Sequence, residues 1–252
     1  MTAKSALEDK VRRLEAESES LRAAVLLLHR IANLVRTPVE LEPTYYALLT
    51  GVTAGVGLGL NRAMLLLVDD DDRSLLRGVA AVGPADREEA DRVWRSIEAD
   101  APDLETLHAA GLHQLDRRGK LDQQVRSLSV FVEGESPIAL AMRTGALVSG
   151  EGHDDLDGLL HLSTAVAAPL RGRGLVRGVL YADNCFTGRR LPPEAQLVFA
   201  LLADHAGRAI EGAHRFEQVA RDARTDALTG LCHQGVLMLS LIHISEPTRP
   251  TT

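Results

Sequence analysis

The chain has 252 residues, with 28 Lys+Arg against 35 Asp+Glu and a formal charge of −7. That acidic balance, with only 3% aromatic side chains, argues against a nucleic-acid interface built on a basic face or on base stacking. Hydrophobic residues at 45% and charged residues at 25% fit a globular chain rather than a disordered one.

Residues 5–35 carry a heptad pattern. Val11, Ser18, Val25 and Ala32 fall at a, and Leu7, Leu14, Leu21, Leu28 and Val35 at d. β-Branched residues at a with Leu at d predict a parallel two-stranded coiled coil, with a single amphipathic helix packed on its own domain as the alternative, and Pro38 should end or kink the helix. A second helix is expected over 41–59. Its glycines, Gly51, Gly55, Gly57 and Gly59, follow a helix instead of preceding one, so they read as helix termination and not as a phosphate loop.

An apolar run at 63–68 predicts a buried strand, and 75–82 its hairpin partner. The four aspartates between them, Asp69 to Asp72, lack the alternation and the sharp Gly turn of a calcium loop and read as a solvated turn. A helix is expected over 86–98, and no element is assigned in the polar stretch 102–125. Alternation predicts a strand around 128–132, followed by a short helix at 137–143 and a small strand at 146–148. The clearest hairpin pairs 164–170 with 174–182 around the turn Arg-Gly-Arg-Gly at 171–174. Pro192 and Pro193 then open a long helix that runs to about 225. Its seam is again heptad, with Leu202, Ala206, Ala209, Ala213, Phe216, Ala220, Ala223 and Ala227. A helix this long is expected to pack on its own domain at one end and on a partner's copy at the other.

This order of elements resembles a GAF domain, most specifically through Ala-Pro-Leu-Arg-Gly-Arg-Gly-Leu-Val-Arg-Gly-Val-Leu-Tyr-Ala-Asp-Asn at 168–184, which is similar to the last hairpin of that family. The resemblance implies an α+β fold (α/β in the broad sense) with a central antiparallel sheet, flanking helices and long N- and C-terminal coiled-coil signalling helices. Thr-Asp-Ala-Leu-Thr-Gly-Leu at 225–231 resembles the opening motif of the GGDEF family of diguanylate cyclases, with Asp226, Leu228, Thr229, Gly230 and Leu231 matching and Cys232 and His233 departing. The Gly-Gly-Asp/Glu-Glu-Phe motif itself is absent from the chain, so no cyclase catalysis is expected of it. Residues 239–252 resemble translated sequencing-adapter DNA and are expected to be foreign to the fold.

The expected layout is therefore a coiled-coil helix at 1–37, a GAF-like sensor domain at 38–213, a continuing exit helix at 214–225, a cyclase-domain start at 226–238 and an adapter-derived tail at 239–252. The resemblance implies a sensory module controlling a diguanylate cyclase; a ligand-free structural dimerisation module is the alternative. A parallel homodimer is expected, with its seam at Val11, Leu14, Leu21, Val25, Leu28, Ala209, Ala213, Phe216, Ala220 and Ala223. The longest apolar run, 197–203, has seven residues, against ~20 for a membrane span. With no apolar core near the start and only two cysteines, Cys185 and Cys232, the expected setting is the cytoplasm. Neither membrane nor nucleic acid is an expected partner, whereas a small-molecule effector is. No catalytic set can be defended, and the sequence names no cofactor. His153 and His161 flank an acidic loop, but without the tight spacing of metal ligands, and Cys185 reads as a structural thiol.

Overall fold

The computed structural model describes residues 41–55, 57–100 and 118–224, isolated helical positions between 10 and 33, and residues 106, 107 and 109. Helix α1 is Leu41–Thr53, and the hairpin β1 (Arg62–Val68) and β2 (Leu75–Val82) follows. Next come α2 (Arg87–Asp100), α3 (Lys120–Arg126), β3 (Ser129–Phe131), α4 (Pro137–Thr144) and β4 (Val148–Ser149). The second hairpin is β5 (Val166–Gly172) and β6 (Leu175–Asp183), and α5 (Pro193–Arg224) completes the order.

The strands form one antiparallel sheet of six in the order β3-β2-β1-β6-β5-β4. The two apolar hairpins meet at its centre, where β1 pairs with β6 from Arg62↔Asp183 to Leu67↔Gly178. Alternation along β1 sends its side chains to two cores. Ala63 and Leu65 join α1 and α5 on one face, while Met64 and Leu66 join α3 and α4 on the other. Helix α1 is buried without a break from Thr44 to Val52, because it lies between sheet and α5.

Two β-bulges interrupt this regularity. On β2 the register steps from Leu65↔Ala80 to Leu66↔Gly78, leaving Val79 as the extra residue. On β6 it steps from Leu170↔Gly178 to Arg171↔Val176, leaving Arg177. An inserted residue bends the strand and re-aims a side chain.

The local chemistry explains the element ends. In α4, Ser136 Oγ accepts a hydrogen bond from the Ala139 amide, Pro137 stands in the first turn, and Gly145 ends the helix at φ 61°. The β5–β6 turn needs only Arg173 and Gly174, with φ of 46° and 83°, a two-residue turn of the kind that suits the twist of a hairpin. Helix α1 stops at Thr53, short of the expected 59, and the glycine-rich loop after it turns back with Gly59 donating to the Ala54 carbonyl.

Helix α3, in a stretch to which the sequence assigned no element, covers the outer edge of β2. Asp122 Oδ1 accepts from the Ala81 amide at 2.7 Å, taking the place of a neighbouring strand. The helix comes so close that a Cβ at Gly78 would lie 1.8 Å from the Val125 carbonyl oxygen.

Candidate functional site

The most polar buried centre lies where β1 begins and β6 ends. The ladder between them is uncharged from Ala63↔Ala182 to Leu67↔Gly178 and closes on a charged pair, Arg62 and Asp183. Arg62 Nε donates to Asp183 Oδ1 at 3.0 Å and Nη2 to Oδ2 at 2.5 Å, while Nη2 also reaches the Leu159 carbonyl at 2.9 Å. Burial opposes the charge on Arg62, but the hydrogen bonds and charge of Asp183 outweigh it and hold the guanidinium above its ordinary pKa. The Phe186 ring lies 6.0 Å from the guanidinium carbon.

The network continues through Tyr181, whose hydroxyl donates to Asp183 Oδ2 at 2.9 Å and accepts from the His161 amide at 3.0 Å. Burial first, then the Asp183 charge, pushes the tyrosine pKa up. His161 Nδ1 lies 2.9 Å from Thr164 Oγ1, which in turn accepts from the Asn184 amide. Asn184 Oδ1 accepts from the Asn61 amide, and Asn61 Oδ1 accepts from the amides of Phe186 and Thr187. A buried, well-satisfied network of this kind ties β1, β6 and the loop after β6 into one rigid unit.

A small cleft of about 310 Å³ opens beside it, lined by Arg62, Ala85, Gln124 and Asp157 to Leu159. Arg62 lines this cleft, and its Nη1 has no hydrogen-bond partner among the described residues. In the same lining Asp157 and Gly158 have positive φ, at 59° and 80°, as does Leu156 before them, at 52°. The loop is held by Asp154 accepting from the Leu156 amide and Asp155 from the Gly158 amide. The arrangement sets a guanidinium donor near a carboxylate, which suits recognition of a small polar molecule. The rest of that sheet face is filled by its own side chains, with Met64, Leu66, Leu121, Ile138 and Tyr181 almost wholly buried.

In its relation to known proteins, the sequence matches no protein-family model and no curated protein. The fold does match. The chain is 14% identical to the GAF domain of an Acinetobacter phosphoenolpyruvate-protein phosphotransferase, with a TM-score of 0.52 over 77% of this chain and 97% of that one. The corresponding domain from Coxiella burnetii gives 15% identity and a TM-score of 0.52 over 79% and 98%.

The fold is a GAF fold. A methyl-accepting chemotaxis protein, residues 122 to 287, aligns as well, at 17% identity and a TM-score of 0.51 over 74% of this chain and 98% of that one.

Within this GAF fold the residues singled out from sequence fall in different places. Of the N-terminal seam, Val11 and Val25 are helical and exposed; Leu14, Leu21 and Leu28 lie outside the described residues. On α5, Ala213 is buried and Ala209 packs on the core between sheet and helices, both against their own domain, while Phe216 is 57% exposed. Ala220 and Ala223 lie in α5, with side chains outside the described set. The motif residues Asp226, Leu228, Thr229, Gly230 and Leu231, and the tail at 239–252, also lie outside it.

Asp69 and Asp72 cap turn amides: Asp69 Oδ1 accepts from Asp71 and Asp72, and Asp72 Oδ1 from Ser74. Arg77 first, and then the turn amides, hold the Asp69 carboxyl below its usual range, and the Ser74 hydroxyl and then its amide do the same for Asp72. Among the described residues no cluster of His, Cys, Asp and Glu could hold a metal ion, and no helix is long and apolar enough to cross a membrane. Cys185 is half-buried, its amide donates to Asp183, and burial and then Asp183 push its thiol up to about 12. The polar centre was missed in the sequence. Its signal was a charged residue at the border of each of two apolar strands, which becomes a pair only once the register is known.

Proposed function

We propose that this chain is a sensory regulatory module whose exit helix sets the pairing of a diguanylate cyclase domain beginning at Asp226. The observation that carries this reading is the continuity of α5. It is one helix of 32 residues. Its first half is locked to the sheet and α1 by Phe199, Leu202, Ala203 and Ala206, and it ends immediately before the motif at 225–231. A change within the domain that moves this packed half moves the whole rod.

In this reading the protein works as a parallel dimer. Leu197, Leu201, Phe216 and Val219 stand on the outer side of α5 and are exposed, which supports a helix pair there. An effector in the cleft at Arg62 would bias the pairing only by its different affinity for the two helix arrangements. Cyclic di-GMP formation would belong to the following domain, and the chain itself is not expected to turn over GTP.

The test is to read the genomic frame past codon 231 and assay the protein it encodes. An intact GGDEF domain whose cyclic di-GMP output changes on Gln124→Ala, at an exposed residue of the cleft beside Arg62, supports the proposal. A frame that encodes residues 239–252 and no cyclase overturns it.

A second reading, a structural dimerisation module without ligand, is favoured by the tight filling of the α3–α4 face by Met64, Leu66 and Tyr181. A thermal-shift screen with cyclic nucleotides, haem and small metabolites separates the two, because a bound effector must raise the unfolding temperature.

A further inference from the structure

At the opposite end of the sheet from Arg62 lies a larger cleft of about 630 Å³. It is bounded by the β1–β2 turn, the β5–β6 turn, the start of α1 and the second half of α5. Its floor is apolar, with Tyr45, Leu67, Val79 and Ile210. Its wall is cationic: Arg73, Arg77, Arg173, Arg177 and Arg215 all line it.

Three carboxylates share the cleft, namely Asp69, Asp70 and Glu211. Asp69 is bonded to Arg77 at 2.6 Å, and Glu211 is paired with Arg173 at 3.4 Å. That leaves Arg73, Arg177 and Arg215, which have no ion-pair or hydrogen-bond partner among the described residues. Three guanidiniums without internal partners thus line one concavity of a chain whose net charge is −7.

The backbone also contributes to this cleft. Val79 and Arg177, the two extra residues of the two bulges, both line it, one in the floor and one in the wall. A regular ladder would have placed neither residue in the same way. Two independent departures from regularity thus serve one concavity.

We infer that this cleft binds a small molecule carrying two or more phosphate charges. Planar guanidiniums take phosphate oxygens in pairs, and three of them without internal partners match a polyanion better than a single carboxylate. The apolar floor beside them accommodates the organic part of a phosphate ester. The volume falls in the range of small-ligand sites, ~300–1,000 Å³. This inference stands on the cleft alone and does not depend on a cyclase following the chain.

The test is calorimetric titration of the full chain with pyrophosphate, GTP and sulfate at low salt. Pyrophosphate and GTP should both bind, and sulfate more weakly. Tighter binding of GTP assigns a phosphate ester with its base on the floor; equal binding assigns the phosphates alone. Arg177→Gln and Arg215→Gln should each weaken binding by about tenfold, the worth of one charge-assisted contact. Arg73→Gln, on an exposed turn, should do the same without any bearing on folding. Arg189→Gln, an exposed arginine outside the cleft, should leave affinity unchanged. The inference is overturned if none of the phosphate probes binds, or if Arg189→Gln weakens binding as much as Arg177→Gln. Binding of an acidic peptide with no response to phosphates would overturn it too, in favour of a protein partner.

Discussion

Arg62 and Asp183 are register partners across β1 and β6, joined by two hydrogen bonds at the point where both strands leave the core. Asp183 is wholly buried, so removing its partner leaves a charge without compensation. Arg62→Met and Asp183→Ala should each destabilise the fold by ~3–5 kcal/mol. For a domain of this size that lowers the thermal midpoint on the order of 10 °C. Tyr181→Phe removes one bond to the same carboxylate and should cost ~1.5–3 kcal/mol. Thermal melts of the three variants check the order.

Two glycines on α5 should respond in opposite directions. A Cβ at Gly207 would lie 2.4 Å from the Arg171 carbonyl oxygen, where the helix presses on β5. Gly207→Ala should therefore destabilise by ~1–3 kcal/mol despite the better helix propensity of alanine. Gly212, five residues on, has nothing within 4 Å of the same added atom. Gly212→Ala should stabilise by ~0.5–1 kcal/mol. Urea midpoints of the two variants decide it.

Alkaline pH should unfold the domain through groups that fold in their neutral form. Burial, and then the nearby carboxylates of Glu217 and Glu42, push Tyr45 up to about 12 from 10.0, and Cys185 rises to about 12 from 9.0. Tyr46 and Tyr181 are raised as well, burial again being the largest cause. A raised folded pKa means that the unfolded chain loses its proton first. The stability these groups contribute is complete below about pH 9 and is lost as pH rises towards 12. Denaturant midpoints from pH 7 to 12 should be level at first and then fall. In a Cys232→Ser background, iodoacetamide should label Cys185 at pH 8 at least ~100-fold more slowly than a free thiol.

Association should depend on the outer side of α5. Phe216 and Val219 are 57% and 67% exposed, so Phe216→Glu with Val219→Glu leaves the domain core intact. Light scattering at micromolar concentration should show a dimer for the native chain and a shift towards monomer for the double variant. Leu14→Asp with Leu21→Asp should weaken the dimer as well. A native monomer would count against the heptad reading.

The sheet was legible because apolar runs of the right length stood between strong turn signals. The strand at 75–82 and the helix opening at Pro137 fall where the pattern places them. The α5 heptad shows what a pattern leaves open. An apolar stripe marks a buried face without naming the neighbour. Ala206 joins the core between sheet and α1 and Ala213 is buried within its own chain, while residues left outside, such as Leu201 and Val219, lie one position round the helix. Helix α3 escaped notice because it is short and polar, with only Leu121 and Val125 as apolar anchors and a buried carboxylate, Asp122, that bonds the sheet edge. Both clefts are assembled from turns and strand ends far apart in sequence. No spacing rule could have joined Arg73 to Arg215, or Arg62 to Asp157.

The Leu41 amide donates to Glu217 Oε1 at 3.2 Å, so the chain enters the domain beside the stretch of α5 from which it departs. The ends of the described domain therefore lie on one side of it, bridged by a single hydrogen bond. Ends this close can be joined by a short linker, which is the geometry that circular permutation and domain insertion require.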